Sequence, residues 1–226
     1  MDEIGVFEAI HSTRALRRLK PDPIPTDIVT KILTAATSAP SGGNRQDWLF
    51  VAVTSSEQRR RVGDVYAKAS QLVRPFYSDA MRPPHMSADE FRRMQSSGFY
   101  LHDHMGDAPL LILIGARGRP NRKMPGVPPE AEARELIRQR AASVYPAVQN
   151  IVLACRALGL GTVITTNHIL CEEEMKAVLE LPADVETFAL MPIGYPVGKF
   201  GPVVRKPLSD VAMRDRWGNP WSATES

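Results

Sequence analysis

The stretch from Ser143 to Leu158 constrains the fold more than any other part of the chain. Val144, Ala147, Val148, Ile151, Val152, Ala154 and Leu158 recur at helical spacing and leave almost no polar side. A helix that is apolar nearly all round belongs inside a protein. Pro146 suits its first turn and Gly159 its stop. The apolar partners such a helix needs come from strand-like runs at Trp48 to Val53, Leu110 to Ile114, Thr162 to Thr165 and Thr187 to Ile193. They are rich in β-branched and aromatic residues, and turn formers flank them. With 226 residues, 43% hydrophobic and 23% charged, the chain is expected to form a single domain over 1–226.

Several function classes are excluded early. The longest apolar runs fall far short of the ~20 residues of a membrane span, and the opening Met1-Asp2-Glu3 lacks the basic start of a signal peptide. A cytoplasmic protein without a membrane partner is therefore expected. Cys155 and Cys171 form no motif or disulfide framework, in keeping with a reducing compartment. A net charge of +3 allows a local basic patch for a phosphate. No aromatic or helix-borne basic stripe for nucleic acid is present.

Between these anchors the periodicity predicts further helices. Ile4, Phe7 and Ile10 mark one inward face of a short helix, and Ile28, Ile32, Leu33 and Ala36 mark a second, capped by Thr26 or Asp27. Ser55 or Ser56 starts a third carrying Arg59-Arg60-Arg61, expected to be a solvated face. Residues 75–107 are the least regular and are assigned as a lid or insertion, with a capping box Ser87…Glu90 opening another helix. An exposed loop covers Ala116 to Pro129, and Glu172 to Leu181 is an acidic-started helix. Residues 196–226 are aperiodic yet contain Trp217 and Trp221, too apolar to stand free in water; this extension is expected to wrap a partner subunit.

Two segments offer ligand chemistry. Arg14 and Arg17 sit in an extended basic stretch whose planar guanidinium forks match phosphate oxygens in pairs, although the same cluster also serves as a solvated face. Pro40-Ser41-Gly42-Gly43-Asn44 offers backbone N–H groups free of Cβ atoms together with a hydroxyl and an amide, as a flat polar-edged ligand requires; a plain tight turn uses the same residues. His102-Asp103-His104 with Asp107 lacks a third ligand at zinc spacing and reads as a helix end, so no metal is expected. His168 reads as structural or surface first and as a pocket residue second. Cys171 has no His/Asn arrangement and reads as a small hydrophobe.

Four blocks in order resemble the nitroreductase family: FEAIHSTRALRRLKPDPIP, APSGGNRQDW, RALGLGTVITT, and ALMPIGYP followed by VRKPL. They spread over almost the whole chain. The resemblance implies an α+β fold, an α/β/α sandwich with a central, mostly antiparallel sheet flanked by helices, and a homodimer with FMN at the interface. It also implies hydride passing from NAD(P)H through the flavin to a small conjugated acceptor such as a quinone or nitroaromatic. Matched position by position, Arg14 takes the FMN phosphate and Arg17 the N1 and O2 edge, where it stabilises the reduced flavin. Thr13 and Ala15 stand where the family usually has arginine and serine, which shifts phosphate binding toward Arg205; Ser12 is a substitute if the register slips. Pro40, Ser41, Gly42 and Asn44 match flavin-contacting positions lying partly against the other subunit's cofactor, with Gln46 ordering the loop. Asp47 replaces a frequent proline. Ile164, Thr165 and Thr166 match the strand end that meets the isoalloxazine. No protein nucleophile or general base is implied, since the flavin supplies the chemistry.

Rival functions remain. DAPLLILI and RKPL look similar to the iodotyrosine deiodinase branch, whose lid carries a Glu, Tyr and Lys set that clamps a zwitterion. The lid YAKASQLVRPFYSDAMRPPHM shows no such set at matching places, which ranks deiodination low. A dehalogenating or flavin-modifying relative and a flavin-binding protein without turnover are the alternatives.

Overall fold

The computed structural model describes residues 4–118, 126 and 128–222. Its elements are α1 (Val6–Ser12), α2 (Thr26–Thr37), β1 (Trp48–Val53), α3 (Ser56–Val73), α4 (Ala88–His104), β2 (Leu110–Arg117), α5 (Pro129–Ala157), β3 (Gly161–Thr162), α6 (Glu172–Val178) and β4 (Val185–Gly194), joined by short 3-10 turns. The strands form one antiparallel sheet in the order β1-β2-β4-β3. Phe50 stands opposite Ile114, Leu113 opposite Leu190, and Thr162 opposite Ile193.

The continuous apolar run of β2 has a simple cause. Leu110, Ile112 and Ile114 face one core and Leu111 and Leu113 the other, all at most 1% exposed. A strand covered on both faces has no reason to alternate with polar residues. On one face Val29, Ile32 and Ala36 of α2 pack with Val144, Ala147, Val148 and Ile151 of α5. On the other, Val62, Val65 and Tyr66 of α3 pack with Leu101 of α4 and Met175 of α6. The result is the α/β/α sandwich.

On this second face α3 meets the turn before β2 backbone to backbone. A Cβ on Gly63 would lie 2.8 Å from the Gly106 nitrogen, and one on Gly106 would lie 2.9 Å from the Arg59 carbonyl oxygen. A similar close approach holds Gly115, at the register shift of β2, against the Glu186 carbonyl.

Several local expectations are corrected. The central helix starts at Pro129, so Pro146 lies in its interior instead of its first turn. Its front half is charged and reads as solvent-facing, which hid it; Arg140, 8% exposed, anchors that half with a bidentate pair to Glu186 of β4 (Nε–Oε2 2.9 Å). In α1 only Ala9 is buried, while Phe7 is 72% and Ile10 44% exposed, so that face does not pack inward within the chain. Neither Thr26 nor Asp27 caps α2, whose N-cap is Pro25 without a side-chain bond. Ser55 does cap α3, and the Ser87–Glu90 capping box is present. Irregular chain in the lid is confined to 74–87, because α4 is a regular helix. β3 is only two residues long, and Thr165 rejoins the sheet through a bridge to Leu190. Helix α6 ends at Val178, before the expected Leu181. Most of the loop expected between Ala116 and Pro129 lies outside the described residues.

Candidate functional site

Two clefts open along α5. The first, about 580 Å³, is lined by Ile10, His11, Thr13, Arg14, Ala15, Arg17, Gln149, Val152, Thr162, Val163, Ile164, Val203 and Arg205. It therefore gathers six of the predicted site residues: Thr13, Arg14, Ala15, Arg17, Ile164 and Arg205. The segment after α1 reaches it as an extended chain threaded along the sheet edge. Leu16 N–H donates to the Thr162 carbonyl (3.1 Å) and Lys20 N–H to the Tyr195 carbonyl (2.8 Å). Residues from Pro196 run back beside it, with Val203 N–H donating to the His11 carbonyl (3.2 Å). This pairing delivers Arg205 to the cleft that Arg14 and Arg17 line.

The three guanidinium groups differ in their engagement. Arg14 and Arg205 are exposed; Arg14 donates to the Lys199 carbonyl (2.6 Å) and Arg205 to the Val204 carbonyl (2.8 Å). Arg17 is half-buried and has no hydrogen bond or ion pair among the described residues. Burial pulls it below the ordinary guanidinium range, opposed by Tyr66 and Tyr77, but a guanidinium keeps its charge at neutral pH. A cation that loses part of its hydration without gaining a partner is costly. An anionic edge placed in the cleft removes that cost. Around it, Ile10, Val152, Val163, Ile164 and Val203 provide apolar walls, and Gln149, Thr13 and Thr162 provide polar points. Arg18, next in sequence, points to the other side, its guanidinium 3.8 Å above the Tyr100 ring.

Behind Arg17 lies a buried polar group of side chains. The Tyr66 hydroxyl shares hydrogen bonds with Thr165 and Ser70; burial pushes its ionisation up, with those bonds and Arg17 opposing. Thr165 also donates to the Leu190 carbonyl (2.6 Å), and Asn167 donates to Ser70 (3.3 Å). Thr165 thus sits beneath the cleft instead of lining it, and Thr166 is exposed at the start of the following turn.

The second cleft, about 550 Å³, is lined by Pro40, Ser41, Gly42, Gly43, Arg45, Gln139, Ala142 and Ser143. The Ser143 hydroxyl accepts from Gly42 N–H (3.1 Å), tying the loop to α5. Gln46 orders the loop as expected: its N–H donates to Ser41 Oγ (3.0 Å) and its amide to Asn44 Oδ1 (3.1 Å). Gly43, Asn44 and Gln46 all have positive φ. The Asn44 side chain is thereby held inside the loop and is absent from the cleft lining. Asp47 lies 3.8 Å from Arg45 Nε, which accounts for part of its place there. Gln139 and Gln149 are ten positions apart on α5, about 15 Å at 1.5 Å per residue. The two clefts are therefore separate within one chain, and the predicted residues do not all converge.

Sequence reasoning missed Gln149, Gln139 and Ser143. Ser143 and Gln149 are polar residues on the stretch read as buried on nearly all sides, and that exception was the available signal; Gln139 lies in the charged front half of α5, which gave none. Ser12 is no substitute phosphate ligand: its hydroxyl accepts from Arg156 Nε (2.8 Å) and donates to the Glu8 carbonyl (2.6 Å). Arg59 is only partly solvated: it is half-buried and donates to the Pro109 carbonyl (2.6 Å). His104 pairs with Asp107 (2.7 Å) at the end of α4. Cys171 is half-buried against the second core, and burial pushes the Cys155 thiol far above its usual range.

His168 is wholly buried, with no partner for either ring nitrogen among the described residues, and burial pulls it down to about 4. The unfolded chain protonates this side chain below about 6.5 while the folded one resists until about 4, so stability falls as pH falls between those values, by roughly 3 kcal/mol. The His168→Leu variant should lose this acid sensitivity, measured as the difference between urea unfolding at pH 7 and at pH 4.5. An unchanged difference would assign the acid limb to other groups.

Comparison with known proteins agrees with this layout. Iodotyrosine deiodinase from Danio rerio is 23% identical over 209 residues, which is 92% of this chain; the chain spans about two thirds (66%) of that relative's length. A BluB-like flavoprotein from Clostridium difficile 630 superposes with a TM-score of 0.72 at 22% identity, over 94% of this chain and 100% of the other. An oxidised iodotyrosine deiodinase bound to FMN and 3-iodo-L-tyrosine gives 0.64 at 21%, over 94% and 99%. The family model for the nitroreductase family matches residues 10–195, and with the antiparallel sandwich and the first cleft it leads to one conclusion: the chain belongs to the nitroreductase family.

Proposed function

We propose that the protein is an FMN-dependent oxidoreductase that passes hydride from NAD(P)H to a small conjugated acceptor. The observation that carries this reading is the half-buried, unpaired Arg17 at a cleft with apolar walls, flanked by Arg14 and Arg205. That arrangement fits FMN: a flat apolar ring, an electron-rich edge and a phosphate. When bound, FMN supplies the hydride and electron chemistry. Arg14 and Arg205 would hold the phosphate, Arg17 would face the electron-rich edge of the ring, and Val152, Val163 and Ile164 would exclude water from its face. Thr162 and Gln149 supply polar contacts at its edge.

The separation of the two clefts along α5 supports a homodimer. In such a dimer a two-fold axis across the exposed side of α5 would bring the Pro40–Asn44 loop of one protomer to the first cleft of the other. No described helix is long and apolar enough to cross a membrane. Dehalogenation is the second reading, favoured by the deiodinase relatives.

Purified protein should be yellow, release about one FMN per chain on denaturation, and oxidise NAD(P)H when a quinone or nitroaromatic is added. A colourless protein that stays inert after FMN is restored ends the proposal; iodide release from 3-iodo-L-tyrosine without quinone turnover transfers it to the second reading. The Arg205→Ala variant should bind FMN about one to two decades more weakly while riboflavin affinity hardly changes, since a charge-assisted phosphate contact contributes roughly 1.5–3 kcal/mol. Equal losses for both flavins would place Arg205 away from the phosphate.

A further inference from the structure

Arg156 lines neither cleft, yet three separate pieces of the chain meet on it. It stands in the last turn of α5, with its side chain 14% exposed. Its Nε donates to the Ser12 hydroxyl (2.8 Å), a terminal nitrogen donates to the Glu8 carboxylate (3.3 Å), and its guanidinium lies over the Phe200 ring, 4.3 Å from the centroid. A planar guanidinium suits this junction, because it takes hydrogen bonds on its edges and an aromatic ring on its face.

Both of the pieces tied to α5 in this way lead into the first cleft. Among the described residues, the side chains of α1 make their hydrogen bonds and ion pair outside the helix to Arg156 alone. Ala9 is the one buried residue of α1, so apolar packing does little to fix that helix. Thr13 and Arg14, on the cleft wall, follow directly after Ser12. Phe200 belongs to the returning segment, whose Gly201 and Val203 N–H groups donate to the Ser12 (3.3 Å) and His11 (3.2 Å) carbonyls before the chain delivers Arg205 to the same cleft. Arg14 bridges the two pieces by donating to the Lys199 carbonyl (2.6 Å). The Glu8 pair adds little, since that acid is 60% exposed. The Ser12 bond and the Phe200 ring carry the clamp.

We infer that Arg156 is the positioning residue of the phosphate end of the cleft: by clamping the end of α1 to residues 199–203 it sets the spacing of Arg14 and Arg205, so that one phosphate can take a guanidinium from each. This rests on the reading of the first cleft as the flavin site. A residue that acts through those two arginines affects only the part of the ligand they meet. Loss of Arg156 therefore costs phosphate binding, whereas ring binding, which depends on Arg17 and the walls formed by Val152, Val163 and Ile164, stays nearly intact.

The test uses the full chain as wild type and as Arg156→Met, which keeps an unbranched apolar stem in the helix. Phe200→Leu probes the clamp from its other side and, lying outside both cores, serves where Arg156→Met does not fold. Titrated with FMN and with riboflavin, each variant should bind FMN about tenfold more weakly than wild type, with riboflavin affinity changed less than about threefold. In an Arg205→Ala background the FMN loss caused by either variant should shrink to less than about threefold, because a residue that the clamp places is gone. Hydrogen exchange at the Gly201 and Val203 amides should be at least about tenfold faster in each variant, with or without flavin. Unchanged FMN affinity, equal losses for both flavins, an undiminished FMN loss in the Arg205→Ala background, or unchanged exchange each overturns the inference. If the wild type binds neither flavin while exchange at those amides still quickens in the variants, the flavin reading fails and the clamp stands.

Discussion

The Arg17→Leu protein is expected to retain FMN yet be reduced by NAD(P)H about 10²- to 10³-fold more slowly than wild type, with a more negative flavin midpoint potential. Removing one preorganised charge from the place where negative charge develops typically costs that much. The expectation follows from the solitude of Arg17. It is half-buried, burial already works against its charge, and no acid or carbonyl among the described residues compensates. An exposed arginine already satisfied by a backbone carbonyl, as Arg14 is, has less to give. Anaerobic stopped-flow bleaching measures the rate, and Arg17→Lys should recover part of it, since lysine restores the charge without the planar fork. Wild-type reduction in Arg17→Leu would remove this residue from the reaction.

Deletion of residues 209–226 should raise the dimer dissociation constant at least ~100-fold, about 3 kcal/mol, with FMN lost on dilution as the protomers part. The truncation leaves Arg205 and every residue of the first cleft in place. What it removes is a small hairpin in which Trp221 N–H donates to the Ala212 carbonyl (2.9 Å) and the Arg214 guanidinium lies over the Trp221 ring. Trp217 is 88% exposed and Val211 61%. A tryptophan brings ~150–250 Å² to whatever buries it, enough for an interface anchor. Phe7 and Ile10 of α1 are a second exposed apolar set that the partner is expected to cover. Sedimentation across a dilution series, read with flavin absorbance, gives the answer. A truncated protein that remains a tight, fully flavinated dimer would show that the extension does not clasp the partner.

The sequence made legible whatever depends on short-range pattern. β1 and β2 stood out as apolar runs, the Ser87–Glu90 box marked the start of α4, and the order of four blocks carried the fold class. Polar residues with long-range partners were opaque. Arg140 looks like one more charge in a solvated run until Glu186, 46 positions away, is found opposite. Arg59 is indistinguishable from Arg60 and Arg61 until the Pro109 carbonyl comes into view. In the site, the extended arginine stretch and the glycine loop were both identified. Their separation by about three turns of α5 was not, because it depends on a helix whose charged front half gave no inward-facing pattern.

The seam between Gly63 and Gly106 fixes α3 against the turn that leads into β2. Since neither backbone has room for a methyl group, α3 cannot slide or roll along the sheet without breaking that contact. Val73, at its last turn, is carried by a helix held in this way. On the far side the first turn of α4 is anchored by a side chain instead, Phe91, which is 2% exposed. A methyl group at either glycine is therefore expected to push α3 off that turn, whereas a change of length in residues 74–87, which only join α3 to α4, leaves both helices where they are.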